Sequence, residues 1–234
     1  MIMRILSLFL TVVFAVSVSA QTPLVNQIFD EGTQAARAGN YENAIENYRK
    51  TISLAEVEAV TGDFLAKIHF NIGVCLYNLK QTAEAAEEFT EAIKLSHRSY
   101  QKAFYALGMA QSELKNWRKA AAAFREAVNL KKNDGEAWFD LGLVLLEEKD
   151  FESAEKAFRN AIKFKSIGAA DAHNNLGVIF ALRHEFDSAE SEFKTAWVVS
   201  NRKSILARNN LEFCKQLGRN SNRDLLAKLE FSQF

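Results

Sequence analysis

Four histidines and two cysteines are the side chains of this 234-residue chain whose types best suit catalysis or metal binding. Their spacing does not suit either. His69, His97, His173 and His184 lie far apart, at no separation that closes imidazoles around one metal ion. No H-E-x-x-H, glycine-rich phosphate loop, G-x-S-x-G or C-x-x-C occurs. The acid-rich stretches 84–88 and 147–150 read as solvated faces and helix starts rather than as paired general acids. The chain is therefore expected to be non-enzymatic, with no metal, no cofactor and no small-molecule substrate. Its functional surface must come from how its elements are arranged.

Those elements repeat. Residues 101–134 and 135–168 align without a gap: Phe104 falls over Trp138, Trp117 over Phe151, Ala120 over Ala154 and Phe124 over Phe158. The glycines of the two copies are 142 − 108 = 34 residues apart. Further copies complete a column of Gly32, Gly73, Gly108, Gly142 and Gly177, with spacings of 41, 35, 34 and 35. In the same register run Ala44, Ala85, Ala120, Ala154 and Ala189, then Tyr48, Phe89, Phe124, Phe158 and Phe193. A third small column reads Thr51, Ala92, Ala127, Ala161 and Ala196. Small residues let neighbouring helices approach, and the ring four residues after the small one fills the space that opens. Two short antiparallel helices cannot bury enough surface alone, but stacked copies make a continuous core. With 48% hydrophobic residues, 18 Phe and one Pro, the chain reads as an all-α solenoid. His69 and His173 share a column with Phe104 and Trp138, so packing is their expected role. Cys75 and Cys214 are more than three units apart, too far for a disulfide within one molecule.

On these columns the chain resembles the tetratricopeptide repeat family. The resemblance covers five units, about 25–58, 66–99, 101–134, 135–168 and 170–203, and implies a right-handed superhelix of helix–turn–helix repeats. It is weakest in the first unit, where Ile28 and Glu31 replace the aromatic and the leucine. The usual prolines between units are absent, with Glu56, His97, Lys132, Ser166 and Asn201 at the junctions. Seven extra residues (41 − 34) fall in 55–64, where the second helix is expected to reach about Val60 and Asp63 to cap the next. Residues 204–234 lose the glycine column and are expected to form a capping helix pair, 204–218 and 223–231.

In the family, the first helices of successive units line a concave groove that takes an extended or helical peptide. The resemblance assigns to that groove Phe29, Lys67, Phe70, Asn71, Tyr77, Lys102, Tyr105, Phe139, Asp140 and Asn174. Its lining is an aromatic strip with Lys67 and Lys102 early and Glu136, Asp140 and Asp171 late. It does not match the set with which related modules clamp a terminal carboxylate: Asn71 and Lys102 fit, but Phe29, Thr33 and Ala106 stand where Lys, Asn and Arg are needed. The expected partner is a protein or peptide, of unknown identity, that offers apolar anchors with a polar rim.

Residues 1–20 carry one positive charge, Arg4, then an apolar run from Ile5 to Val18 and the small-residue end Val18-Ser19-Ala20. This reads as a secretory signal peptide cleaved near Ala20, which sends the chain to a periplasm or cell envelope. The alternative is an uncleaved anchor, but 14 apolar residues at 1.5 Å each reach about 21 Å, short of a membrane span. No Cys lies near the cleavage point to take a lipid. Without Arg4 the chain holds 29 − 1 = 28 basic and 29 acidic residues, which offers nucleic acid no basic face and gives no membrane attraction. Two functions remain: an exported adaptor that binds a partner in its groove, and an assembly subunit that packs through its caps and outer face, in a complex that is membrane-associated or free.

Overall fold

A computed structural model describes residues 23–57, 62–220 and 228–232. The expected signal peptide, and the end of the helix expected to reach Val60, lie outside the described residues. Ten helices form five antiparallel pairs: α1 (Pro23–Arg37) with α2 (Tyr41–Val57), α3 (Gly62–Asn78) with α4 (Thr82–Leu95), α5 (Gln101–Glu113) with α6 (Trp117–Leu130), α7 (Gly135–Glu147) with α8 (Phe151–Lys163), and α9 (Ala169–Leu182) with α10 (Phe186–Val199). An eleventh, α11 (Ile205–Asn220), follows, and there is no strand among the described residues. Each helix packs on its own partner and then on the next helix in the chain, so contacts stay local along the array. Part of the excess in unit one becomes helix: α2 and α3 each have 17 residues, where α5 and α7 have 13. Helix α3 starts at Gly62, so Asp63 sits inside its first turn, just past the first helical residue, rather than at the cap expected for it.

The sequence columns are the core. The alanine column of the second helices, the Tyr or Phe column and the Thr or Ala column are each at most 2% exposed. The glycine column explains the ring column. A Cβ placed on Gly73, Gly108, Gly142 or Gly177 would lie 2.5–2.7 Å from Phe89, Phe124, Phe158 or Phe193 respectively, and one on Gly32 would lie 3.0 Å from Tyr48. The ring thus rests on first-helix backbone that no side chain can cover.

Each unit also turns in the same way. The residue seven places after the glycine takes a left-handed conformation: Gly39 (φ 79), Lys80 (φ 64), Lys115 (φ 58), Lys149 (φ 59) and His184 (φ 61). The next residue donates back to the carbonyl five before it, as in Gln81 N–H to Leu76 (2.9 Å) and Asn116 N–H to Gln111 (2.8 Å). This closure satisfies orphan carbonyls at the end of each first helix. Side-chain caps then start the following helix at Asn40, Asp134, Asp150 and Ser204, each accepting from an N–H three residues on.

Within the units, one further pair of positions, 19 residues apart, changes in concert. Where the first helix has Phe104 or Trp138, the second has Ala123 or Ala157. Where the first helix has His69 or His173, the second has Glu88 or Glu192, with Nδ1 to Oε2 at 2.6 Å in both. The histidines are thus used in packing helix pairs, as expected. Between units three and four, Tyr105 donates its hydroxyl proton to Asp140 Oδ2 at 2.7 Å. Burial pushes the Asp140 carboxyl up to about 6, against the opposing effect of this bond. Glu155 joins units four and five by accepting from Arg159 (2.9 Å) and Arg183 (2.6 Å); burial works to raise its carboxyl, but the two guanidinium groups together outweigh it and hold the carboxyl below the usual range.

The expected capping pair requires a correction. Helix α11 is present, but residues 228–232 form a turn and a non-helical segment, not the end of a helix over 223–231; residues 223–227 of that expected helix lie outside the described residues. Asn174-Asn175-Leu176 of α9 and Asn209-Asn210-Leu211 of α11 are 209 − 174 = 35 residues apart, so α11 has the register of a sixth first helix. Its glycine position holds exposed Glu212.

Two outcomes follow from these contacts. Gly142→Ala should lower unfolding free energy by about 1–3 kcal/mol in urea melts, despite the roughly 1 kcal/mol that Ala gains over Gly in a helix interior. Phe158→Leu in that background should recover part of the loss, and an unaffected Gly142→Ala protein would refute the ring-on-backbone account. The second concerns Asp140. Its folded pKa, raised above the ordinary 3.8, means that the fold favours the protonated form, so its contribution is complete below about pH 4 and is lost as pH rises through about 6. The stability of the parent chain minus that of Asp140→Asn should fall by as much as about 3 kcal/mol between pH 4 and 7. A flat difference would show that this carboxyl titrates normally.

Candidate functional site

Four of the groove residues named from sequence are aromatic rings at one position of successive first helices, and all four pack on the ring of their own second helix. Centroid distances are 5.6 Å for Phe29–Tyr48, 5.8 Å for Phe70–Phe89, 5.6 Å for Tyr105–Phe124 and 5.8 Å for Phe139–Phe158. Each also reaches toward the next unit: Phe29 meets Phe64 at 5.2 Å, Phe70 meets Tyr100 at 5.0 Å, Tyr105 bonds Asp140, and Phe139 lies against Gly168. The strip is therefore part of the architecture, and it offers a partner only the smaller part of each ring that remains uncovered. Tyr77, half-buried, has its phenol pushed up to about 12, first by burial and then by Glu113. Asn71 donates to the Tyr48 hydroxyl at 3.3 Å.

Lys67 and Lys102 differ: both are exposed, and no acidic oxygen lies within ion-pair distance of either among the described residues. Val74, 37% exposed, lies seven residues, about two helical turns, beyond Lys67 on α3. Beside it a cavity of about 290 Å³ opens between Thr33, Tyr48, Asn71 and Val74. Of the later acids, Asp171 is exposed and the other two are engaged. Asp140 accepts from Tyr105, and Glu136 accepts from the Ile167 backbone N–H at 2.6 Å.

Asn174 breaks the aromatic series, and it does not line an open groove. Its face is covered by the chain's own segment 228–232. Asn210 grips Glu230 by both backbone groups, donating to its carbonyl (2.7 Å) and accepting from its N–H (3.1 Å). Asn175 grips Ser232 likewise, donating to the carbonyl (3.1 Å) and accepting from the N–H (2.6 Å). Asn174 donates to the Glu230 carbonyl (3.1 Å) and to Ser232 Oγ (3.3 Å), and its own oxygen accepts from Asn210 (2.9 Å). The three carboxamides are at most 1% exposed. Leu229 is buried in the cluster that holds Leu211, Cys214 and Leu217, and the Phe231 ring stacks on Phe151 (6.3 Å, 14°). The segment thus crosses from α11 over α9 toward unit four. Under it Val178 is only 2% exposed, although it occupies the position that Val74 holds in unit two.

Spacing marks Asn174 and Asn175 as groove positions, but not Asn210 or the segment that the three hold. The one signal was the doubled Asn-Asn-Leu; it was masked by the helix-like spacing of 223–231. Cys75 and Cys214 are free, buried and in separate clusters, and burial pushes both thiols up to about 11. No group of three His, Cys, Asp or Glu among the described residues could hold a metal. No helix among them is long and apolar enough to cross a membrane.

Comparison with known proteins agrees with this geometry. Two family models described as tetratricopeptide repeat match residues 66–99 and 105–166. The chain is 26% identical over 105 residues to the DnaJ homolog subfamily C member 7 homolog of Schizosaccharomyces pombe, covering 45% of this chain and 21% of that protein. It is 31% identical over 70 residues to the human mitochondrial import receptor subunit TOM34, covering 30% and 20%. These matches span about a fifth of the relatives' length. Among solved structures, YrrB, described as a TPR protein with an unusual peptide-binding site, superposes with a TM-score of 0.66 at 23% identity, covering 77% of this chain and 88% of that one. MamA from Desulfovibrio magneticus superposes with a TM-score of 0.66 at 19% identity, covering 79% and 99%. From its recurring columns, its paired helices and these matches, the chain is a tetratricopeptide-repeat protein.

Proposed function

We propose that this chain is a non-enzymatic adaptor that holds a segment of a protein partner along the face of its first helices. One observation carries the reading: that face holds a chain segment at units four and five, and among the described residues it leaves a cavity open between units one and two. The open part offers what a peptide needs, an apolar floor at Val74, uncovered ring edges and two unpaired ammonium groups, Lys67 and Lys102. The peptide-binding site described for YrrB sets a precedent on the same fold. The composition of residues 1–20 supports export, and the compartment we infer is a periplasm or cell envelope. The second reading, an assembly subunit, draws on Val198, Val199 and Ile205, which leave the outer end of α10 and α11 apolar and exposed, Ile205 by 74%.

The four packed rings are poor test positions, because truncating them would cost about 3 kcal/mol or more each and unfold the array. Residues that the fold does not use serve better. The chain from Gln21, immobilised, should retain a partner from an envelope extract, and Lys67→Glu/Val74→Asp/Lys102→Glu should weaken retention by roughly tenfold or more, about 1.4 kcal/mol. Circular dichroism should show the variant folded. Retention that survives these changes but is lost on Ile205→Asp would reject the adaptor reading in favour of the assembly subunit.

A further inference from the structure

We infer that the surface formed by α7, α9 and α11 is a receptor for an extended peptide of the pattern apolar–any–aromatic–serine, and that residues 229–232 are its resident occupant, which a partner segment of the same pattern must displace. This rests on the adaptor reading and names the partner's chemistry at this end of the groove.

The hydrogen bonds show what the site reads. Asn210 and Asn175 each close on both the N–H and the C=O of one residue, and the two residues, Glu230 and Ser232, are two apart. In an extended strand, residues i and i+2 present their backbone groups on one edge, so the two carboxamides act as the neighbouring strand that a sheet would supply. Such bonds recognise backbone and accept any side chain. Selection comes from the alternate residues: Leu229 enters the apolar cluster beside Leu211 and Leu217, and Phe231 stacks on Phe151. Glu230 between them is exposed and sets no requirement. Ser232 is buried, with its hydroxyl against Asn174, so a small hydroxyl residue is favoured there.

Three buried carboxamides in one patch also call for a strand. None of the three caps a helix, and a buried amide without a partner is strongly unfavourable. Asn174 stands where the earlier units hold Phe29, Phe70, Tyr105 and Phe139, so unit five has replaced the ring that covers its second helix with a group that binds backbone. Beyond Phe231 and Ser232 the surface continues as a cavity of about 540 Å³ lined by Trp117, Leu143, Leu146 and Lys149.

The test adds a fluorescent peptide with the sequence of residues 226–233 to the full chain and to Leu229→Ala/Phe231→Ala, whose resident segment is loosened, and follows anisotropy. We expect at least about tenfold tighter binding to the loosened chain, because the intact chain fills its own site at high effective concentration. Adding Asn175→Ala/Asn210→Ala to the loosened chain, or Ala at both the Leu and Phe places of the peptide, should remove that gain. Equal binding to both chains, or binding that ignores the asparagines, overturns the inference. If the loosened chain does not fold, the same peptide with a photoreactive phenylalanine at the Phe231 place is added in excess to the unaltered chain. Crosslinks to α7 or α8 support the inference, and crosslinks only elsewhere, or none, overturn it. A partner lost on Lys67→Glu/Val74→Asp/Lys102→Glu with no peptide binding leaves the adaptor reading standing and this inference refuted; peptide binding with no captured partner does the reverse.

Discussion

A ring pressed against bare backbone is the contact on which the whole array depends. In units two to five a phenylalanine of the second helix lies so close to the first-helix glycine that a methyl group there would sit within 2.7 Å of ring carbons. The contact fixes the separation and roll of the two helices at once, which a looser contact between two side chains would not do. Once each pair is set, the alanine four residues before the ring and the small residue three after it can be fully buried, and the next pair can stack on the first. Unit one, with Tyr48 at 3.0 Å, uses the same contact at slightly greater distance and adds two hydrogen bonds at the tyrosine hydroxyl, which accepts from Asn71 and shares a proton with Thr33.

The binding face follows from this arrangement. Because second-helix rings fill the space between paired helices, the first helices are left facing outward on one side, with their next aromatic lying over the ring below. In units one to four that aromatic closes the core. In unit five it is an asparagine, and the chain's own segment lies there instead, with Leu229 in the core. The face is thus divided: a ring-floored part with free lysines, and an amide-lined part that already holds a strand.

Much of this was legible from residue spacing. The glycine, alanine and phenylalanine columns fixed the period, the helix pairs and the buried set, because each column has a single physical task repeated five times. The groove was legible as a list of positions and less so as a set of roles. Phe29, Phe70, Tyr105 and Phe139 share a column that serves packing first, and spacing cannot tell how much of a ring its neighbours cover. The tie from Tyr105 to Asp140 joins different units and leaves no periodic trace. The segment 228–232 was misread for a related reason. Leu225, Leu226, Leu229 and Phe231 repeat at helical intervals, yet residues 229–232 are extended, because their backbone groups are taken by the amides of Asn175 and Asn210. A long-range partner overrode the local pattern.

The pairing of positions 19 residues apart says something about how such an array can be cut and rejoined. His69 is answered by Glu88 and His173 by Glu192, while Phe104 and Trp138 face alanines. An exchange made at the loop inside a unit would set a histidine against a methyl group, or a large ring against a carboxylate. An exchange made between units would keep every such couple intact. The piece that keeps these couples together when it is transplanted or duplicated is therefore the helix pair, and the ties that a new border must still supply are those that cross it, such as Tyr105 to Asp140.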